Sequence, residues 1–397
     1  MVGYLTVGAV GALVTFLSTF LIRRIATRVG AMSLPGPRSV HAYATPTLGG
    51  AGMFLGFLAA LAVATQIDQF KEMFSLSSEP LGVVLAAGVM FMVGALDDLR
   101  EVSPPAKVAG QVLSASLLSL FGVTMLFFRV PFASYDYVVL SPNWAALVTV
   151  LTVVLLANAL NLIDGLDGLA AGIVIIAGTA FFLYSDRLFK AGLIDGSNIA
   201  PLIAVIAVSI CAGFLPHNWH PARIFMGDAG AMFLGLLLAV TTITVGGRTA
   251  DQFSGQTYFF FAPLLIPIVI LAVPLVDTGF SFLRRVLRRQ SFSTADREHL
   301  HHRLIRLGHG PRRTVALLWL WTALLSAAAL IPTYTNRGNA LVPIALGALG
   351  LLLFTYFHPG VRTRREEDAA AAEARAAELA ADVGVVDLEE RRRARSG

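Results

Sequence analysis

The sequence predicts an all-α, polytopic integral membrane protein. Three observations carry that expectation. First, the 397 residues are 56% hydrophobic and only 14% charged, where a soluble domain carries about 25% charged residues. Second, the apolar residues gather in eleven runs, at 2–22, 48–67, 81–96, 108–128, 144–160, 169–184, 199–214, 229–246, 258–276, 315–331 and 340–357. Crossing a bilayer takes about 20 apolar residues, so each run is read as a span. Third, none of these runs contains Asp, Glu, Lys or Arg, as lipid-exposed helices require.

The first run lacks a charged preceding region and a small-residue cleavage site, so it reads as a retained helix rather than a cleaved signal. The single cysteine, Cys211, lies inside a run, which excludes a disulfide framework. Residues 1–361 form the membrane part. The tail at 362–397 is Ala-rich with mixed charge, and its helix-forming residues suit a soluble helix.

Basic residues set the orientation. With the N-terminus outside and eleven spans, the inner loops hold Arg23, Arg24, Arg28, Arg38, Arg100, Lys107, Arg223 and nine arginines from Arg284 to Arg313. The outer loops hold Lys71, Arg129, Arg187, Lys190, Arg248 and Arg337. Positive charge favours the cytoplasmic side, so the C-terminus is expected in the cytoplasm. The acidic groups Asp97, Asp98, Asp164, Asp167, Asp228 and Asp277 then all follow odd-numbered spans. They share the cytoplasmic face with the basic loops.

Five motifs interrupt this pattern. "RSVHAYATPTLGG" (38–50) is a Pro- and Gly-rich loop whose Thr45, Thr47 and glycines offer donors to a nucleotide, although any turn has this composition. "GALDDL" sets Asp97 and Asp98 at the end of span three. Adjacent carboxylates bind a divalent cation or hold one raised pKa; a solvated helix end is the plain alternative.

"NALNLIDGLDGLA" (158–170) spaces Asn158, Asn161, Asp164 and Asp167 three residues apart. Each such step turns about 60° around an ideal helix. Asn158 and Asp167 would therefore face opposite ways unless the backbone breaks near Gly165 or Gly168, as glycine permits. The spacing does not match a calcium-binding EF-hand loop. Unpartnered buried carboxylates are costly, which argues against a merely structural turn.

"HNWHPARIFMGDAG" (217–230) puts Asp228 just before an apolar run, where it serves as a helix cap or as a further acid of one shared site. Arg223 suits a phosphate and Phe225 suits a base. "DREHLHHRLIRLGHGPRR" (296–313) carries His299, His301, His302 and Arg303. The histidines lack the i, i+4 spacing of a helical zinc pair and have no cysteines beside them. They fit a phosphate clamp; the alternative is a basic surface helix on anionic lipid.

Carboxylates for a divalent metal, cations for phosphates and a position at the membrane face are the equipment for phosphoryl transfer between a soluble nucleotide and a lipid. Nucleic acid is excluded as a partner, because no soluble basic domain is present.

In order along the chain, "TPTLGG", "DDL", "NALNLIDGLDGLAAG", "PARIFMGDAG" and "HLHHRL" resemble the polyprenyl-phosphate N-acetylhexosamine-1-phosphate transferases. The motifs run from Thr45 to Leu304, nearly all of the membrane part. "PARIFMGDAG" with "HLHHRL" is similar to the WecA/TagO-like branch that uses UDP-GlcNAc. Leu300 interrupts the histidine run that marks the MurNAc-pentapeptide branch.

The resemblance implies Mg2+, with Mn2+ as a substitute ion. It makes Asp228 the metal ligand with Asp98 near it, and Asp97 the group that orients or deprotonates the lipid phosphate. Asp164 and Asp167 become nucleotide or metal-site residues supported by Asn161. Asn218 and Phe225 become nucleotide contacts, with Phe225 stacking on uracil. His299, His301 and His302 grip the diphosphate or sugar. His217 stands where the family often has Phe.

The implied reaction is attack by polyprenyl phosphate on the β-phosphorus of UDP-GlcNAc, releasing UMP, in the plasma membrane and on its cytoplasmic side. A phosphate monoester has a second pKa of about 6, so Asp97 positions the acceptor more than it deprotonates it. A covalent phospho-enzyme and a homodimer both stay open. A secondary transporter, with ionisable residues near the bilayer midplane and inverted repeats, fits poorly. A MurNAc-pentapeptide transferase and a non-catalytic lipid-binding scaffold are the remaining alternatives.

Overall fold

The structure is a computed structural model, described for residues 1–34, 43–128, 138–246, 271–287, 300–335 and 338–357. Helices dominate: α1 (Val2–Val29), α2 (Gly49–Ala64), α3 (Lys71–Leu76), α4 (Glu79–Leu99), α5 (Pro104–Leu120), α6 (Pro142–Ile163), α7 (Leu169–Lys190), α8 (Ala200–Asn218) and α9 (Gly227–Gly246). They continue with α10 (Ala272–Leu287), α11 (Leu300–Arg306), α12 (Pro311–Thr335) and α13 (Leu341–Phe357). Two short antiparallel ribbons and two 3-10 turns, Asp68–Phe70 and Gly338–Ala340, complete the described chain. β1 (Met32–Ser33) pairs with β2 (Thr45–Pro46), and β3 (Phe127–Phe128) with β4 (Val138–Val139).

Among the described residues, seven helices are long and apolar enough to cross a membrane: α1, α4, α6, α7, α8, α9 and α12. The pair from Gly49 to Leu76, bent by 93°, makes an eighth candidate. The chain is therefore a multi-pass membrane protein in architecture. Helices α5 and α13 have 17 residues each, which at 1.5 Å per residue is about 25 Å.

Several boundaries differ from the sequence reading. Helix α1 runs past residue 22 and carries Arg23, Arg24 and Arg28 on its last turns. Helix α5 starts at Pro104 and stops at Leu120 instead of reaching residue 128. Pro at the first position favours a helix start, and Gly122, at φ 97°, turns the chain into β3. The run at 258–276 lies mostly outside the described residues. Asp277, expected at its end, is inside α10 and 3% exposed. The tail at 362–397 also lies outside the described residues.

Helix α9 is the hub. It is buried nearly throughout and packs on α2, α4, α6, α7 and α8. Glycine removes bulk at two of these contacts, once on α4 and once on α9 itself. A Cβ on Gly94 of α4 would collide with the Asp228–Ala229 backbone, and one on Gly235 would collide with the α6 backbone at Leu156–Ala157. Small residues let membrane helices approach this closely, where van der Waals packing and hydrogen bonds drive association. This tight contact brings the ends of α4 and α6 to the start of α9.

Candidate active site

The site assembles where α4 ends, α5 begins, α6 breaks and α9 starts. The "GALDDL" acids lie on the last turn of α4. A Ser-Pro-Pro start then turns the chain into α5 and puts Lys107 on its first turn. The Lys107 ammonium donates to Asp97 Oδ2 at 2.7 Å and to Asp228 Oδ2 at 2.5 Å. The α4–α5 turn and the start of α9, 121 residues further on, thus meet on one cation. Lys107, Asp97 and Asp228 keep 19%, 18% and 27% of their side-chain surface open, so solvent and ligands can reach the pair.

Asp97 also accepts Val102 N–H at 2.9 Å, closing the α4–α5 turn. Asp98 takes a different role. Its Oδ1 accepts Asp228 N–H at 2.8 Å and its Oδ2 accepts Ala229 N–H at 3.1 Å. It caps α9 from a neighbouring helix, satisfying donors that have no partner inside α9. Gly227, at φ 71°, makes this approach possible, because a Cβ there would overlap the Asp98 carboxylate.

The break expected in 158–170 is present. Helix α6 ends at Ile163, and α7 begins after Gly168 at φ 76°. The break does not gather all four polar groups. Asn161 Nδ2 donates to Asp228 Oδ2 at 3.3 Å. Asn158 lies one turn deeper in a reciprocal amide pair with Gln111 of α5, at 2.8 and 3.4 Å. Gln111 is fully buried and also reaches Met232 Sδ. Asp167 points elsewhere. Its Oδ2 accepts His220 Nδ1–H at 2.7 Å and Ala222 N–H at 3.0 Å.

The Asp164 N–H closes the last turn of α6 on Leu160 O at 3.2 Å, while its carboxylate makes no hydrogen bond among the described residues. Burial, then the charges of Asp228, Asp98 and Asp167, push its carboxyl up to about 8. Asp97, Asp98, Asp164 and Asp228 gather here, more carboxyl groups than the single Lys107 ammonium can pair. A divalent cation fits that imbalance. Among the described residues no three carboxylate, imidazole or thiolate groups form a ligand set. Mg2+ needs only one or two carboxylates, with waters and substrate phosphates completing its shell. Asp228, with Asp164 near it, meets that requirement.

The remaining candidates divide. Asn218 is 2% exposed; its Oδ1 accepts Gly168 N–H at 2.8 Å and its Nδ2 donates to Ile224 O at 3.0 Å. Both amide atoms tie the 219–226 loop to the start of α7. Phe225 is half-buried. Its N–H donates to Pro46 O, while its own carbonyl accepts Gly49 N–H. That contact holds Leu48 in the left-handed region at φ 73°, a conformation uncommon outside glycine. Thr45 is buried and donates to Tyr43 O. Thr47 approaches Asp98 at 3.5 Å. Arg223 and Arg303 are exposed. His299 lies outside the described residues. His301 and His302 fall on α11, their side chains outside the description.

Sequence reasoning missed Lys107, Gln111 and His220 as site residues. Only Lys107 had a readable signal. The Pro-Pro start places it on the first turn of the helix after the acid pair, facing the same membrane side.

Comparison with known proteins identifies the family. Residues 80–246 match the glycosyl transferase family 4 model. The decaprenyl-phosphate N-acetylglucosaminephosphotransferase of Mycobacterium leprae is 34% identical over 361 residues, 90% of each chain. The probable undecaprenyl-phosphate N-acetylglucosaminyl 1-phosphate transferase of Bacillus subtilis is 32% identical over 323 residues, covering 81% of this chain and 83% of the relative. The undecaprenyl-phosphate alpha-N-acetylglucosaminyl 1-phosphate transferase of Escherichia coli K12 is 27% identical over 348 residues, covering 87% and 88%. With Asp97 and Asp228 on one lysine and Asp98 at the same helix start, and with these relatives along most of its length, the chain belongs to glycosyl transferase family 4, among the polyprenyl-phosphate N-acetylglucosamine-phosphate transferases.

Proposed function

We propose that this chain transfers GlcNAc-1-phosphate from UDP-GlcNAc to a polyprenyl phosphate, giving polyprenyl-diphospho-GlcNAc and UMP, and so begins a cell-envelope polysaccharide. The observation that carries this reading is the Lys107 ammonium held between Asp97 and Asp228. It is a partly open cation inside an acidic cluster at a membrane helix end.

An oxygen of the acceptor phosphate bonds to the β-phosphorus. The bond from that phosphorus to the bridging oxygen breaks, and the oxygen leaves with UMP. Lys107 meets the transferred phosphate with the third N–H of its ammonium. Asp228 would hold Mg2+, with Asp164 beside it, and Asn161 orients the Asp228 carboxylate. The ion, when bound, neutralises diphosphate charge as the leaving group departs. Asp97 keeps Lys107 and the α4–α5 turn in place. Asp98 fixes the start of α9, so Asp228 stays put. Asp97 and Asp98 already have their oxygens engaged by N–H donors, which favours direct displacement over a covalent carboxyl phosphate. Phe225 stacks on the base, and the segment 299–303 grips the phosphates or sugar.

The membrane placement belongs to the same reading. Eleven spans, an outside N-terminus and a cytoplasmic site follow the arginine bias. They accord with the ends of α4, α6 and α8 and the starts of α5, α7 and α9 lying at one end of the bundle. The test is UMP release by purified protein with polyprenyl phosphate and Mg2+, comparing UDP-GlcNAc with UDP-MurNAc-pentapeptide. The reading expects release with UDP-GlcNAc alone, and only when lipid and metal are both present.

A further inference from the structure

The loop at 219–226 delivers Phe225 and Asp228 to the site. On one side its anchors are backbone bonds to β2 and the start of α2. On the other, facing α7, the loop is held by Asn218 and by the Asp167–His220 pair. Asp167 is an unusual anchor. One oxygen accepts both His220 Nδ1–H and Ala222 N–H, so side chain and backbone of the loop close on one atom. A carboxylate only accepts, so the imidazole carries a hydrogen on Nδ1. The N-terminus of α12 joins from outside, with Arg312 Nη2 donating to His220 O at 3.4 Å. His220, Asp167, Arg312, Trp219 and Trp319 are among the residues lining a cleft of about 130 Å³ beside the loop.

We propose that His220 is a positioning residue of the transferase. Its Nδ1–H locks the Asp167 carboxylate against Ala222 N–H, and this lock sets where the loop presents Phe225 and Asp228 to the nucleotide. The assignment rests on the transferase reading for its kinetic consequence, but not for its structural one. The cleft offers a competing role, in which Nε2 contacts a ligand directly.

Two variants separate the roles at the level of single atoms. An asparagine amide can place N–H near the position of Nδ1, and a glutamine amide near that of Nε2. Positioning therefore expects His220→Asn to keep the lock, and His220→Gln and His220→Ala to lose it. Hydrogen exchange of the full-length protein in detergent reads the lock without substrate. Exchange at the amides of residues 222–226 should quicken about tenfold in the Gln and Ala variants and stay near wild type in Asn. The KM for UDP-GlcNAc should rise about tenfold or more in Gln and Ala, with a smaller change in kcat, as for other groups that orient a ligand-bearing residue.

Unchanged exchange in His220→Ala would overturn the proposal. So would activity retained by Gln and lost by Asn, which assigns Nε2 to a ligand. Quickened exchange together with a wild-type protein that releases no UMP would support the lock and overturn only the transferase reading.

Discussion

Lys107 carries the chemistry at the scale of single residues. It stands between two carboxylates in a half-closed site, where an ammonium acts as a compact point charge. Replacing it with methionine keeps the stem and removes the charge. Lys107→Met should lower UMP release by about 100-fold, as loss of one preorganised charge does, while the protein still purifies as a folded species. Lys107→Arg should not restore the full rate, because a guanidinium is longer and spreads its charge over a plane where the ammonium is a compact point charge. Steady-state kinetics in detergent check both.

The acids were legible in the sequence because each breaks an apolar pattern at a helix end. Their division of labour was not legible. Asp97 and Asp98 are neighbours on the chain, yet one bonds a lysine and the other caps a different helix. That difference depends on side-chain direction at a helix terminus and on the partner helix that docks there. Asn218, read as a nucleotide contact, has both amide atoms bonded to backbone.

At the scale of elements, α9 is positioned by what its neighbours lack and by what they lend it. Asp98 lends α9 two hydrogen-bond acceptors. Asp98→Asn would leave one helix N–H without an acceptor, at a cost of about 1–3 kcal/mol. A lower unfolding temperature in detergent should show it. Gly94 supplies the space, and Gly94→Val should force α4 away from Ala229 and destabilise by about 1–3 kcal/mol. The expected readout is a lower yield of monodisperse protein together with reduced activity.

Beneath the site, Gln111 and Asn158 pair across α5 and α6. Gln111→Leu should strip one acceptor from Asn158 and lower the unfolding temperature, with substrate affinity changed little. The helical geometry of the 158–170 motif required a break, and Gly168 supplies it. The same geometry could not reveal that Asn158 turns inward to Gln111, since the register of one helix against another is not written in either one alone.

The whole molecule is a bundle around one nearly buried helix, with its polar work at one end. Its membrane character was legible from composition and from the apolar runs. Helix limits were less so, because apolar runs and helices need not coincide: α1 carries arginines on its final turns, and β3 follows α5 inside a run read as one span. Orientation can be checked with the protein's own chemistry. The single native thiol, Cys211, is buried and should stay silent to an impermeant maleimide. Val2→Cys should label in intact cells, and a cysteine placed in the tail should label only after permeabilisation. The reverse pattern would invert the bundle and put the acidic site on the outer face.

The direct test of the central claim is UMP release by the purified full-length protein given UDP-GlcNAc, polyprenyl phosphate and Mg2+. Release is expected only when all three are present, and Lys107→Met should abolish most of it. Release that persists without lipid or without metal, or that is unchanged in Lys107→Met, would contradict a phosphosugar transfer centred on Lys107, Asp97 and Asp228.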